Sequence, residues 1–251
     1  MDAASRLGNG LFIYMSYGSS VCPPTDVMAA GASYTRLAGD TVDSWPSLLS
    51  NWEAAAAFAP LTGPGHFGDL ASLIVGAVHR NGGALGPDYV VPSPQSSLTQ
   101  DEVVGYASLV AMARSTWWPS GALDRMDPFM LSLLTNAEVL RVSMASSGTR
   151  VVALSAESGH VWASEDTDRG WTYVLLGNPG NRTYSSNATV GVALSQLGLN
   201  ATSCLWRDLW KGEDLGKVTG SVVALLRPHA AILGRLSNCT VGGALPRHTV
   251  A

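Results

Sequence analysis

Arg36-Leu-Ala-Gly-Asp40 sets a guanidinium four residues ahead of a carboxyl group, with Asp43-Ser44-Trp45 directly behind it. A second glycine-containing stretch, Gly65-His-Phe-Gly-Asp69, ends on another carboxylate. An arginine and carboxyl groups on loops at strand ends are the materials of acid–base chemistry. A carboxyl group whose pKa is raised by its neighbours delivers a proton, and a guanidinium donates to hydroxyls or orients a carboxylate. Each residue also has a plainer reading. Asp40 is then a loop aspartate paired with Arg36, Arg36 is one half of an ion pair with Asp40 or Asp43, and Asp69 caps the following turn. His66 has no His, Cys or carboxylate set around it in the sequence and reads as a packed strand-end histidine.

These residues need a scaffold, and the flanking pattern supplies one. Residues 10–16 form a short apolar run that reads as a buried strand, followed by strands at 32–36, 65–69 and 115–118. Helices alternate with them. Thr25 caps a short one. Ser44 caps the next, with Pro46 in its first turn and Leu48, Leu49, Trp52, Ala55, Ala56 and Ala59 at helical spacing. Thr99-Gln-Asp-Glu102 is a capping box. Asp127-Pro128 opens a further helix through Met130, Leu133, Leu134 and Val139. Alternating strands and helices signal a parallel α/β sheet.

From about residue 149 the pattern becomes short alternating runs separated by turns such as Asn178-Pro-Gly and Lys211-Gly-Glu, which predicts a small antiparallel sandwich. Ser146-Ser-Gly-Thr149 is the expected linker. Trp117 and Trp118 are expected in the core, and Trp206 and Trp210 in the interior of the sandwich.

Composition narrows the partners. The chain has 251 residues, 46% hydrophobic and 14% charged, with a net charge of −4. That balance fits a packed globular protein and disfavours nucleic acid or an anionic membrane surface. No apolar run approaches the roughly 20 residues of a membrane helix. No Cys or His spacing suggests a metal, and no cofactor is expected. Of the three cysteines, Cys204 and Cys239 either pair in an oxidising compartment or stay as buried thiols, and Cys22 is left over. Sequons at Asn181, Asn187, Asn200 and Asn238 point to a secreted or lysosomal protein, although residues 1–8 carry no signal-peptide pattern.

Taken in order, these segments resemble the C-terminal part of the melibiase family, the retaining α-galactosidases and α-N-acetylgalactosaminidases. Arg36-Leu-Ala-Gly-Asp40 with Asp43-Ser-Trp45 is similar to the family's Arg-x-x-x-Asp…Asp-Ser-Trp segment, and Gly65-His-Phe-Gly-Asp69 to its His-Trp-x-Asp-x-Asp-Met strand. Leu98-Thr…Glu102…Tyr106-Ala-Ser-Leu and Leu131-Ser-Leu-Leu-Thr-Asn-Ala-Glu-Val-Leu140 resemble its last two barrel helices. Arg207-Asp-Leu-Trp-x-Gly-Glu-Asp-Leu-Gly216 and Pro228-His-Ala-Ala-Ile-Leu resemble its sandwich. The implied fold is α/β plus all-β: strands five to eight of a (β/α)8 TIM barrel over residues 1–148, then an antiparallel β-sandwich over 149–251.

The resemblance implies Asp40 as general acid/base and Arg36 and Asp69 as contacts to sugar hydroxyls, in retaining hydrolysis of terminal α-D-galactosides on a glycan or glycolipid. The family's nucleophilic aspartate ends barrel strand four, and no position here matches it, so the isolated chain is expected to be inactive. Ala71 and Ala122 stand where the family has aspartates, and Ser16-Tyr-Gly18 occupies the loop that chooses between galactose and its N-acetyl amine. The alternative is a non-catalytic galactose-binding or structural module. Open barrel edges imply a second copy or a complementing N-terminal chain as partner.

Overall fold

The computed structural model of this chain describes residues 12–16, 26, 31–74, 96–121, 123–155, 159–180 and 186–241. Its first sheet is short and parallel, in the order β1 (Tyr14–Met15), β2 (Tyr34–Arg36), β3 (Phe67–Asp69). The register sets Tyr14 beside Tyr34, and Arg36 beside Asp69. After Asp69 the strand breaks at Ala71, whose φ of 64° is left-handed. It resumes as β4 (Leu73–Ile74), which pairs in parallel with β5 (Pro119–Ser120).

The last barrel strand therefore lies beyond the 115–118 expected from sequence. The reason is local: the Ser115 hydroxyl accepts the Leu70 N–H at 2.9 Å, a side-chain bond in place of a ladder rung, and Trp118 O receives the Leu73 N–H. Pro119 is tolerated because, among the described residues, β5 has a single strand neighbour and its missing donor faces no second one. The expected helix after Thr25 lies almost wholly outside the described residues, as do Cys22, Ala122 and Asn181.

Helix α1 (Trp45–Phe58) buries Leu48, Leu49, Trp52, Ala55 and Phe58. Ser44 holds the cap position without a side-chain bond; the Ser47 hydroxyl instead accepts the Val42 N–H. Helix α2 (Gln100–Met112) carries the full capping box between Thr99 and Glu102. Nearly every residue from Val103 to Met112 is buried, so α2 is a central rather than a surface helix. Gly105 permits this, since a Cβ there would stand 2.9 Å from His229 O of the sandwich. The helix expected after Asp127 is two, α3 (Pro128–Leu134) and α4 (Ala137–Ala145), because Asn136 caps a new start by accepting the Val139 N–H at 3.0 Å.

From Ser147 onward the chain is antiparallel. β6 (Ser147–Ser155), β7 (Gly159–Asp166), β8 (Trp171–Gly177), β9 (Ala188–Ala193), β10 (Ser203–Asp208), β11 (Glu213–Thr219), β12 (Ser221–Leu226) and β13 (Ala231–Thr240) make a six-stranded sheet, β11-β10-β13-β8-β7-β6, and a β12-β9 pair. The larger sheet is a middle layer. On β7 and β8, Trp162, Tyr173 and Leu175 pack with the helices, while Val161, Ala163, Val174 and Leu176 pack with Val190 and Val222 of the outer pair. Period-two alternation sends successive residues into two different cores.

The tryptophans divide differently from expectation. Trp206 is in the sandwich interior. Trp210 turns toward the helices and donates to the Ser108 hydroxyl at 2.8 Å. Trp118 is 56% exposed, and Trp117 is half-buried with its N–H on Ser143. Strands β11 and β12 were not expected; β11 is exposed almost throughout and carries no alternation for a sequence reading to find.

Cys204 and Cys239 are joined as a disulfide across β10 and β13, closing a 35-residue separation. Chain-entropy arguments for a loop of this length give about 4 kcal/mol. Cys239→Ser in the full chain should lower the urea midpoint accordingly, and an unchanged midpoint would contradict a stabilising crosslink. A second test concerns His160 of β7, whose ring meets Trp52 edge-on at 5.6 Å and whose buried Nδ1 has no partner. Burial pushes its pKa down to about 4. The unfolded chain, with an ordinary value near 6.5, then binds the proton first, so stability falls by about 3 kcal/mol as pH drops from about 6.5 to about 4. His160→Gln should flatten that limb of the stability–pH curve.

Candidate active site at the strand ends

Arg36, at the C-terminal end of β2, stands between two carboxylates. Its Nη2 donates to Asp40 Oδ1 at 2.7 Å, and Nη1 lies 3.9 Å from Asp69 Oδ2. Nε donates to Ala38 O at 3.0 Å, which folds the loop back over the strand end. The sequence left Asp40 or Asp43 as the ion-pair partner, and the structure places Asp40 there.

The two carboxylates differ in surroundings. The Asp69 side chain is 3% exposed, whereas that of Asp40 is 95% exposed. Asp69 Oδ1 accepts the Ala71 N–H at 2.9 Å, and Oδ2 accepts the Tyr14 hydroxyl at 2.5 Å. Burial and the Asp69 carboxylate both push the Tyr14 phenol up, so it remains a donor at neutral pH. Burial alone would lower Arg36, but its bonds with Tyr14 and Asp40 and the charge of Asp69 raise it further. A buried carboxylate is stable only when paired and hydrogen-bonded, and here the Tyr14 hydroxyl and the Ala71 N–H bond it while Arg36 supplies the opposite charge at longer range.

The loop from Leu37 to Ser44 is fixed from behind. Leu70 O collects three donors: the Thr41 hydroxyl at 3.3 Å, Asn51 Nδ2 at 3.1 Å, and the Tyr106 hydroxyl. Burial raises the Tyr106 phenol strongly, so it too stays protonated. Asp43 is held by the Ser96 hydroxyl and by Ser97, whose N–H donates at 2.8 Å. Arg36 thus lies within ion-pair reach of both Asp40 and Asp69. Tyr14, Asn51, Tyr106, Ser96 and Ser97 were not anticipated; of these, only the polar tip of Tyr14 inside an apolar strand offered a signal. His66 packs as expected, with Nδ1 at 2.7 Å from Ala32 O. Among the described residues no His, Cys, Asp and Glu group has a metal-binding arrangement.

Short parallel strands joined to an antiparallel sandwich match known proteins. Residues 156–236 match the alpha galactosidase C-terminal beta sandwich domain. The chain is similar to the C-terminal part of melibiase-family glycoside hydrolases. A β-L-arabinopyranosidase from Geobacillus stearothermophilus superposes with a TM-score of 0.81 at 30% identity, covering 97% of this chain and 53% of that one. Alpha-galactosidase 2 of Arabidopsis thaliana is 27% identical over 89% of this chain and 51% of its own length. The alpha-galactosidase of Cyamopsis tetragonoloba is 29% identical over 78% and 42%. The chain spans about half the length of the curated relatives it matches. The fold is accordingly a partial barrel, strands five to eight of the (β/α)8 array, carrying the β-sandwich.

The contrast in burial makes a prediction. Asp69→Ala strands Arg36 and Tyr14 and should cost about 3 kcal/mol. Asp40→Ala removes an exposed group and should leave the midpoint unchanged. Chemical denaturation of both variants is the check, and equal losses would overturn the assignment of Asp69 as the structural keystone.

Proposed function

We propose that this chain carries the acid/base portion of a retaining glycosidase site acting on terminal α-D-galactosides of glycans or glycolipids. The observation behind this reading is one guanidinium shared between an exposed and a buried carboxylate at barrel strand ends. Asp40 protonates the glycosidic oxygen and later takes a proton from water. Its free Oδ2 and its exposure suit that role. Arg36 holds the Asp40 loop and points a charged donor at the ring hydroxyls. Asp69 keeps lone pairs beyond those given to Tyr14 and Ala71 and accepts from a hydroxyl.

A retaining mechanism needs a second carboxyl group about 5–5.5 Å from the first. No residue here matches the family's nucleophile, and no other carboxylate among the described residues contacts Asp40. We therefore propose that the 251-residue chain alone does not turn over, and that the open sheet takes a complementing N-terminal half barrel or a second copy. The disulfide and the exposed sequons at Asn187, Asn200 and Asn238 support a secreted or lysosomal setting. No helix of the described residues is long and apolar enough to cross a membrane.

Two features bear on the sugar. The Geobacillus relative acts on a β-L-arabinopyranoside, a ring with the hydroxyl pattern of α-D-galactose but without its hydroxymethyl arm. Ala71, in place of the family's second aspartate, removes one charged contact, which favours a second reading as a non-catalytic galactose-binding module.

The test uses aryl α-D-galactoside, aryl α-N-acetylgalactosaminide and aryl β-L-arabinopyranoside. The chain alone should release no phenol. Mixed with the front half of a relative it should gain turnover, and Asp40→Asn should then cost at least about 10²-fold. Turnover by the chain alone would overturn the missing-carboxyl account. Saturable galactose binding abolished by Arg36→Ala, with no turnover in any mixture, would replace the enzyme by the binding module.

A further inference from the structure

A second cluster of charge lies away from the strand ends. A cavity of about 270 Å³ opens between α4 and the six-stranded sheet, and its walls include Glu138, Arg141, Trp171, Tyr173, Arg207 and Arg235. Three guanidiniums and one carboxylate therefore face a space large enough for a small ligand.

The anions nearby are already committed. Glu138 receives Arg207 in a two-pronged bond, at 2.8 and 2.9 Å. Arg207 also reaches the exposed Asp214 at 3.1 Å. Fully buried Asp166, behind the wall, takes Arg141 Nε at 2.8 Å and the Tyr173 hydroxyl at 3.1 Å. Arg235 shares Glu138 with Arg207. Its Nη1 stands 3.6 Å from Glu138 Oε2, beyond hydrogen-bond reach, and its buried Nε has no partner.

Arg235 instead lies over the Trp171 ring, 4.1 Å from the centroid, and Arg169 and Arg141 approach the same indole at 5.5 and 5.8 Å. The indole face attracts one guanidinium, but it does not cancel the mutual repulsion of three. Across the cavity itself Arg141, Arg207 and Arg235 face Glu138 alone, since Asp166 lies buried behind the wall and Asp214 in solvent. An under-bonded guanidinium in a half-buried wall is the donor that a planar oxyanion satisfies, two N–H groups to two oxygens.

We propose that this cavity binds a small oxyanion, a carboxylate or a phosphate ester, with Arg235 receiving the charge while its guanidinium rests on the Trp171 indole. The site is separate from the Arg36–Asp40–Asp69 cluster and does not depend on its chemistry.

The test is a titration of the ¹⁵N-labelled full chain with galacturonate, galactose 6-phosphate, inorganic phosphate and galactose, following the Arg235 Nε–H and Trp171 indole signals. A saturable shift with the anionic sugars, absent with galactose, is expected. Arg235→Gln should weaken it at least about tenfold, and Arg235→Lys, keeping charge but losing the fork, should recover only part. Arg36→Ala should leave it intact. If inorganic phosphate binds as tightly as the sugars, the oxyanion assignment holds and the sugar ring adds nothing. No shift by tens of millimolar ligand, or equal binding in a folded Arg235→Gln chain, would overturn the proposal. Direct observation of the wild-type signals decides the matter even if the variants fail to fold.

Discussion

The buried charge of Asp69 constrains everything around it. A carboxylate at 2% exposure has to be met by donors, and the chain supplies them from three places in sequence. Tyr14 arrives from β1, Arg36 from β2, and the Ala71 N–H from two residues onward. The first two can reach only if β1, β2 and β3 run parallel in the register observed. The third requires the chain to turn at once after Asp69, which forces Ala71 into the left-handed region and breaks the strand. That break moves the next segment into pairing with β5. The order of the half barrel and the geometry of the candidate site are therefore one arrangement.

The sandwich completes the support. His229, itself at φ 63°, stacks on Trp45 at 4.3 Å and bonds Glu102 of the capping box at 2.8 Å. Trp45 Nε1 donates to Pro179 O. Trp45 begins α1, directly after the loop that carries Asp40, so the sandwich grips the exit of that loop. Gly177 contributes from the same side: a Cβ there would stand 2.8 Å from the Trp52 ring of α1. Helix α2 can be buried on nearly all sides because the barrel strands, α4 and β13 each cover part of it.

Much of this was legible in the residues. Capping signals are local, so Thr99 with Glu102 and Asp127 with Pro128 located two helix starts. The Arg36–Asp40 spacing named a pair that the structure joins. What escaped depends on partners distant in sequence. Ser44 looks like a cap, but Ser47 does the neighbouring bonding. Asn136 splits an apparently continuous apolar pattern because its side chain finds both Val139 N–H and Leu209 O, 73 residues away. Tyr14 offered only its polar tip as a signal, and its role needed Asp69 opposite it. Whether Cys204 and Cys239 pair was open for the same reason, since only the β10–β13 register brings them together.

The two halves of the chain also differ in what holds them. The sandwich closes on itself: its inner face is filled by Val161, Val174, Val190 and Val222, and a disulfide ties β10 to β13. The half barrel does not. Its strands are only two or three residues long. Isolated strands of that length contribute little stability of their own. The core shared between α1, α2, α4 and the middle sheet is what keeps them in register, with Trp162, Tyr173, Leu175 and Leu233 entering from the sandwich side. The geometry around Arg36 thus rests on burial against a domain that contributes none of the candidate catalytic side chains. A substitution that loosens the middle sheet from α2 would disturb the site without touching it, because Tyr106 of α2 holds Leu70 O directly behind the strand end.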